Sequence, residues 1–251
     1  MKPLVATLLV CTTFLSAAQA QPKASTAPQT VTVFAAASLT AAFQAMGTAF
    51  ESDHAGTKVQ FNFGGSSTLV QQIQQGAPVD VFASADEANM QKLVDSAALA
   101  GTAQPFARNL LQIAVASGNP KHIAGLADLT KPGPTIALCG PTVPCGRYAA
   151  EAFRKAGLTP PAASQELDVK AVLSKVALGE ADAGIVYVTD VRAAAGKVDG
   201  IDIPESSNVV ARYPIAIVKG SQNQEAAAAF VEFVLSPRGQ QLLAGFGFLP
   251  R

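Results

Sequence analysis

What most restricts this chain is its rhythm: short β-branched runs alternate with stretches whose apolar residues fall at helix spacing. Val31–Phe34 reads as a buried strand, and Leu39, Ala42, Phe43, Met46 and Phe50 then recur at the three- and four-residue spacing of one helix face. Lys58–Phe63 alternates with period two, as a half-buried strand does. Ser66-Ser67-Thr68 opens a helix carrying Leu69, Val70 and Ile73, which Gly76 closes. Val79–Ala83 is strand-like, Ser84-Ala85-Asp86 leads into a helix with Met90, Leu93 and Val94, and Leu110–Ala116 is an apolar run fit for a central strand. The second half repeats the pattern. Thr135–Cys139 is a strand, Gly140–Gly146 a Pro/Gly-rich loop, Arg147–Lys155 a helix, and Asp168 caps a helix from Val169 to Gly179. Ala183–Val188 is a buried strand, Thr189-Asp190 starts a helix, Tyr213–Val218 is the last strand, and two terminal helices break at Pro237. This βαβα order implies an α/β fold with a parallel sheet covered by helices on both faces.

The N-terminus has a different character. Lys2 is a short basic region, Leu4–Leu15 is almost wholly apolar, and Ala18-Gln19-Ala20 is a small-x-small cleavage site, so residues 1–20 read as a signal peptide. Lipid attachment at Cys11 is disfavoured, because Leu8-Leu9-Val10 puts bulky Val10 where a small residue is wanted. Gln21–Gln29, rich in Pro, Ser, Thr and Ala, reads as a linker. No later stretch is long and apolar enough to span a bilayer, so the expectation is an exported, soluble protein. Removing Lys2 leaves 17 basic against 18 acidic residues, without a basic stripe for nucleic acid or an acidic tail for cations. About 230 mature residues make one large or two small domains.

The junctions between strands and helices carry the chemistry. Ser38 follows Ala35-Ala36-Ala37 and stands at a candidate N-cap, and Ser66, the Cys145-Gly146 loop and Asp168-Val169 repeat the arrangement. Ligands of open α/β sheets sit beyond the carboxyl ends of the strands. A helix N-terminus there offers unpaired N–H donors and about half a positive charge. Four such termini facing one cleft could hold a dianion with no cation, and Val31–Thr40 and Asn62–Thr68 indeed contain no Lys or Arg. The plain alternative for each is an ordinary cap with nothing bound. Enzymatic readings are weaker. Serine hydrolysis needs a base, yet His54 and His122 fall in polar, loop-like stretches expected to be solvated, and no Gly-x-Ser-x-Gly elbow surrounds Ser38, Ser66 or Ser67. Gly140–Gly146 does not fit a P-loop, and no His/Cys/carboxylate group has metal spacing, so neither metal nor cofactor is expected. Cys139 and Cys145 are not a CxxC pair. A structural disulfide and two free buried thiols both remain open for them.

Several of these segments, in order, resemble the periplasmic molybdate-binding proteins of ABC importers over nearly the whole mature chain. They are Val33–Leu39, Gly65–Leu69, Gly76–Asp86, Val143–Ala149, Gly184–Tyr187 and Gly245–Phe248. The resemblance implies a two-lobed type II periplasmic-binding-protein fold. Lobe one would be 30–112 with 214–251 and lobe two 113–213, with crossovers near Leu111–Ile113 and Arg212–Pro214. It also implies that Ser38, Ser66, Cys145, Val169 and Tyr187 hold the oxyanion, through two serine hydroxyls, backbone N–H groups and a tyrosine hydroxyl. Cys145 stands where relatives often carry alanine, which leaves a main-chain donor intact. The expected ligand is molybdate or tungstate, the expected partner a membrane permease, and the expected state a monomeric periplasmic receptor rather than an enzyme. A receptor for sulfate or phosphate is the alternative, and a secreted serine hydrolase a more distant one.

Overall fold

The computed structural model describes residues 29–161, 163–194 and 196–251. The expected signal peptide, Cys11 and the linker up to residue 28 lie outside the described residues. The first half runs β1 (Gln29–Ala36), α1 (Thr40–Asp53), β2 (Thr57–Gly64), α2 (Ser66–Gln74), β3 (Val81–Ala83) and α3 (Glu87–Asp95). A long strand, β4 (Gln104–Ala116), leads to α4 (Leu126–Leu129), β5 (Ile136–Cys139), α5 (Pro144–Lys155) and β6 (Ser164–Glu166). Then come α6 (Val169–Ala177), β7 (Ala183–Tyr187), α7 (Val188–Ala193) and β8 (Val198–Asp202). The chain ends with β9 (Val210–Ile217), α8 (Gln224–Leu235) and α9 (Pro237–Gly245). Among the described residues no helix is long and apolar enough to cross a membrane.

The strands follow the order β2-β1-β3-β9-β4-β7-β5-β6, with β8 also on β4. Pairing is parallel within β2-β1-β3 and within β6-β5-β7, and antiparallel wherever β4 or β9 takes part. Parallel neighbours need helical crossovers, which α1, α2, α5 and α6 supply. The antiparallel strands are those that carry the chain between the two parallel groups.

β4 belongs to both groups. Along one edge, Gln104–Leu110 pair with β9 and Gln112–Ala116 pair with β8, while Leu111–Val115 pair with β7 along the other. Leu111 sits where the partner changes, and a buried strand residue must still satisfy its N–H and C=O. Asn208, on the connection from β8 to β9, does both: its Oδ1 accepts the Leu111 N–H at 3.1 Å and its Nδ2 donates to the Leu111 carbonyl at 2.9 Å. Asn208 stands two residues before β9, whose Val210 pairs with Leu110.

The other departures from expectation have local causes. β4 begins at Gln104 rather than Leu110, because Gln-Pro-Phe-Ala-Arg-Asn lacks the apolar signal of a strand. β6 and β8, as Ser-Gln-Glu and Val-Asp-Gly-Ile-Asp, were illegible for the same reason. Gln29, assigned above to the linker, is the first residue of β1 and pairs with Thr57. α5 starts at Pro144, a residue suited to the first helical turn, which moves Cys145 out of a loop and into that turn.

Helices α1 and α8 pack on one face of β1 and β2 through a nest of rings. Phe230 meets Phe43, Phe50 and Phe61 with ring centroids 6.1, 5.3 and 6.2 Å apart, all edge-on. It is fully buried. Phe230→Ala should cost about 3–5 kcal/mol in urea unfolding, because three rings would then line an unfilled cavity.

Candidate functional site

The carboxyl ends of β1, β2 and β3 face those of β5, β6 and β7 across a small cavity. Its lining includes Ala36–Ser38, Gly65-Ser66, Ala85, Val143–Cys145, Asp168-Val169 and Tyr187. All five residues expected at the site (Ser38, Ser66, Cys145, Val169 and Tyr187) are in it. The empty space within it is about 200 Å³. No Lys, Arg or His lines it.

Each wall is the start of a helix. Ser66 is the first residue of α2 after Gly65, and the first backbone bonds of that turn are donated by Thr68 and Leu69 to the Gly65 carbonyl. Cys145 is second in α5, where Arg147 is the first to donate back into the turn. Val169 opens α6, capped by the Asp168 carboxylate accepting the Ala171 N–H at 3.0 Å. In each case the N–H groups before the first helical bond point out of the helix end. Tyr187 closes β7 and stands immediately before α7.

Ser38 corrects an expectation. It is not an N-cap but lies inside a one-turn 3-10 segment, Ala37–Leu39, and makes no capping bond. Its Oγ instead lies 3.0 Å from the Tyr213 hydroxyl, to which Asn109 Nδ2 donates at 3.5 Å. Either hydroxyl can donate in the Ser38–Tyr213 bond, and when Tyr213 donates, the Ser38 proton is free for the cavity. Ser66 is arranged alike: its Oγ accepts the Ala85 N–H at 3.1 Å, so its own proton is available. A hydroxyl has one proton and two lone pairs, so accepting one bond leaves its proton to be donated.

Tyr187 completes the set. Its hydroxyl is buried and has no hydrogen-bond partner among the described residues. Burial, aided by the Tyr213, Tyr148, Asp86 and Asp190 side chains, pushes it well above the ordinary phenol range, so it remains a neutral donor. Asp190, wholly buried, accepts the Tyr187 N–H at 3.1 Å and faces Lys170 Nζ at 3.0 Å. Burial raises Asp190 and Lys170 opposes the rise. Because Lys170 follows Val169, this contact ties two of the expected donors together.

Cys139 and Cys145 form a disulfide, with Cα atoms 5.8 Å apart, between the end of β5 and the first turn of α5. Sequence reasoning missed the supporting residues Tyr213, Asn109 and Asp190, whose roles depend on partners 3 to 175 positions away. Only the Ala85 N–H had a visible signal, the recurrence of a small residue after a strand in Ser84-Ala85-Asp86. Neither histidine lines the cavity. His122 is exposed as expected, whereas His54 is only half-exposed and stacks on Phe50 at 4.0 Å. Among the described residues no group of His, Cys, Asp and Glu could hold a metal ion.

Residues 31–249 match the model of the bacterial extracellular solute-binding protein family. The chain is 43% identical over 220 residues to the molybdate-binding protein ModA of Mycobacterium tuberculosis, covering 88% of this chain and 84% of that protein. It is 36% identical over 229 residues to the molybdate-binding protein ModA of Escherichia coli, covering 87% and 88%. The solved structure of the sulfate-binding protein SubI from M. tuberculosis superposes with a TM-score of 0.80 at 20% identity, over 88% of this chain and 87% of that one. At that identity the likeness is one of fold: two lobes of the type II periplasmic-binding-protein kind.

An unpartnered buried hydroxyl costs the protein stability until something accepts its proton. Tyr187→Phe should therefore leave the thermal midpoint of the ligand-free protein unchanged or slightly raised. A fall of several degrees would mean that the hydroxyl has a structural partner.

Proposed function

This chain belongs to the bacterial extracellular solute-binding proteins, and we propose that it captures molybdate in the cavity between its lobes for delivery to a membrane permease. The observation that carries this reading is the meeting of Ser38, Ser66, Cys145, Val169 and Tyr187 around one small cavity that no cationic side chain enters. Two hydroxyls able to donate, one neutral phenol and the N–H groups of several helix starts make a shell of donors. Such a shell fits a fully ionised tetrahedral oxyanion. The 43% and 36% identical relatives named as molybdate-binding proteins support molybdate in particular. Tungstate, of the same charge and shape, is expected to bind as well. As a solute-binding protein the chain is a receptor, not an enzyme.

The lobe boundaries are placed where the strand partners change, with 30–110 and 210–251 in one lobe and 112–208 in the other. Residues 1–20 are read as a cleavable leader and the mature receptor as a periplasmic monomer that uses no nucleic acid.

Selectivity should follow from the same shell. Phosphate still carries a proton near neutral pH. For that proton the lining offers, besides hydroxyl lone pairs, only the Asp168 carboxylate, which already caps α6. A donor left unpaired there costs about 1–3 kcal/mol. Sulfate is fully ionised but smaller, and a smaller tetrahedron cannot reach all five donors at one fixed lobe separation.

A thermal-shift panel of molybdate, tungstate, sulfate and phosphate tests the reading. A ligand at 100-fold its dissociation constant should add about 2.7 kcal/mol of stability. Molybdate and tungstate should give the full shift; an equal shift with sulfate would move the assignment to a general oxyanion receptor. Ser38→Ala and Ser66→Ala should each weaken molybdate binding by about 1.5–3 kcal/mol, the worth of a hydrogen bond to a charged group, while circular dichroism stays unchanged. Wild-type affinity in both would place the site elsewhere.

The raised Tyr187 gives a further expectation with a definite sign. Its neutral form is the donor, so its contribution persists above the usual phenol value of about 10 and is lost only as pH rises through the higher folded value. Calorimetric affinity for molybdate should be flat from about pH 7 to about pH 9, well below that range. A decline within that window would show Tyr187 ionising early.

A further inference from the structure

Among the contacts that join the two lobes beside the cavity, one ion pair has no part in the donor shell. Asp86, just after β3, caps α3: its Oδ1 accepts the Asn89 N–H at 2.9 Å and the Ser84 hydroxyl at 3.3 Å, and its Oδ2 accepts from Asn89 Nδ2 at 3.2 Å. Arg147, in the first turn of α5, reaches across and pairs with Asp86 Oδ2. The carboxylate side chain is 4% exposed and the arginine 38%. Next to this pair, Asn89 Nδ2 points at the Thr142 carbonyl at 3.4 Å. On another side of the cavity, Gly65 lies so close to the opposite lobe that a Cβ there would sit 2.2 Å from the Leu167 carbonyl oxygen.

We infer that Asp86 and Arg147 form a latch that holds the lobes closed and thereby sets the affinity of the site; this rests on the two-lobe receptor reading above. The pair brackets the ligand. Asp86 follows Ala85, whose N–H orients Ser66, and Arg147 stands two residues after Cys145. Opening the lobes pulls the guanidinium away and lets water reach Asp86. Closing them dries the carboxylate, which is tolerated only with Arg147 in place. The partial exposure of Arg147 keeps the latch reversible, since its charge is never fully stripped of water. A latch of this kind works through the closed population: the apparent dissociation constant is the intrinsic one divided by the closed fraction.

Two substitutions separate the latch from a simple charge effect on the anion. Asp86→Asn keeps a good N-cap for α3 and removes a negative charge beside a bound dianion. If charge alone mattered, binding would tighten; if the latch matters, binding weakens. Arg147→Met leaves a buried carboxylate unpaired in the closed form and should weaken molybdate binding by roughly tenfold or more, mainly through faster release. Asp86→Asn should weaken it by about threefold, in the range of a partly exposed pair. The double variant should bind better than Arg147→Met alone, because the unpaired carboxylate is gone. Calorimetry and stopped-flow release with molybdate read all four proteins. Asp86→Asn binding as tightly as wild type or tighter, or Arg147→Met binding unchanged, overturns the latch. A wild-type protein that does not bind molybdate overturns the receptor reading instead. The latch is then judged by small-angle scattering of the ligand-free proteins: a larger radius of gyration in Arg147→Met supports it, and equal radii overturn it.

Discussion

Everything in this molecule hangs on one strand that has to serve two sheets. β4 lends its first seven residues to β9 and its last five to β8, and a strand cannot change partner without leaving a residue between them. Leu111 is that residue, and Asn208 meets its N–H and C=O with one carboxamide. An amide side chain has the donor and acceptor of a backbone unit on a short tether, so it can replace a neighbouring strand at a point where none fits. Asn208 also accepts the Val209 N–H at 2.8 Å, which ties the returning chain to the same point. At Leu111 and Asn208 the two groups of parallel strands are therefore joined with the hydrogen bonding complete.

The placement of the cavity follows from this junction. Three parallel strands end on one side and three on the other, and every strand end is followed by the start of a helix or a one-turn 3-10 segment. An anion in this cavity would therefore meet partial dipoles rather than a cation. A lysine in the lining would attract many anions through its charge alone, whereas fixed N–H and O–H donors reward only an ion whose oxygens fall where they point. The supporting bonds serve the same end. Tyr213 beside Ser38 and the Ala85 N–H on Ser66 hold the two hydroxyls at the cavity wall.

The alternation of strand and helix and the five lining residues were readable because each depends on local pattern or on a motif. Val31–Phe34 followed by Ser38, or Gly65-Ser66 before Leu69, carry their meaning within a few positions. What could not be read depends on distant partners. Ser38 looked like a cap because a serine before an apolar helix face usually is one, but Tyr213 claims its hydroxyl. β6 and β8 have almost no apolar signal because both lie on the margins of the sheet, where burial does not select β-branched residues. The disulfide stayed undecided for Cys139 and Cys145 because the test is a distance between Cα atoms, not a spacing in sequence.

Within each lobe the donors are already immobilised. On one side, Ser66 is held by Ala85 and Ser38 by Tyr213. On the other, the disulfide fixes the turn that carries Cys145, and Gly146 is pressed so tightly on the loop before it that a Cβ would lie 2.1 Å from the Gly140 carbonyl. Asp190 links Tyr187 to the residue after Val169. Donors held by such contacts would need little ordering when an ion arrives. The two-lobe receptor reading leaves one coordinate to the ion, the approach of the lobes about Leu111 and Asn208. An ion that satisfies donors on both sides stabilises the closed arrangement by its differential affinity for it, and one that reaches only one side does not. For a receptor that closes on its ion, recognition and closure are the same event.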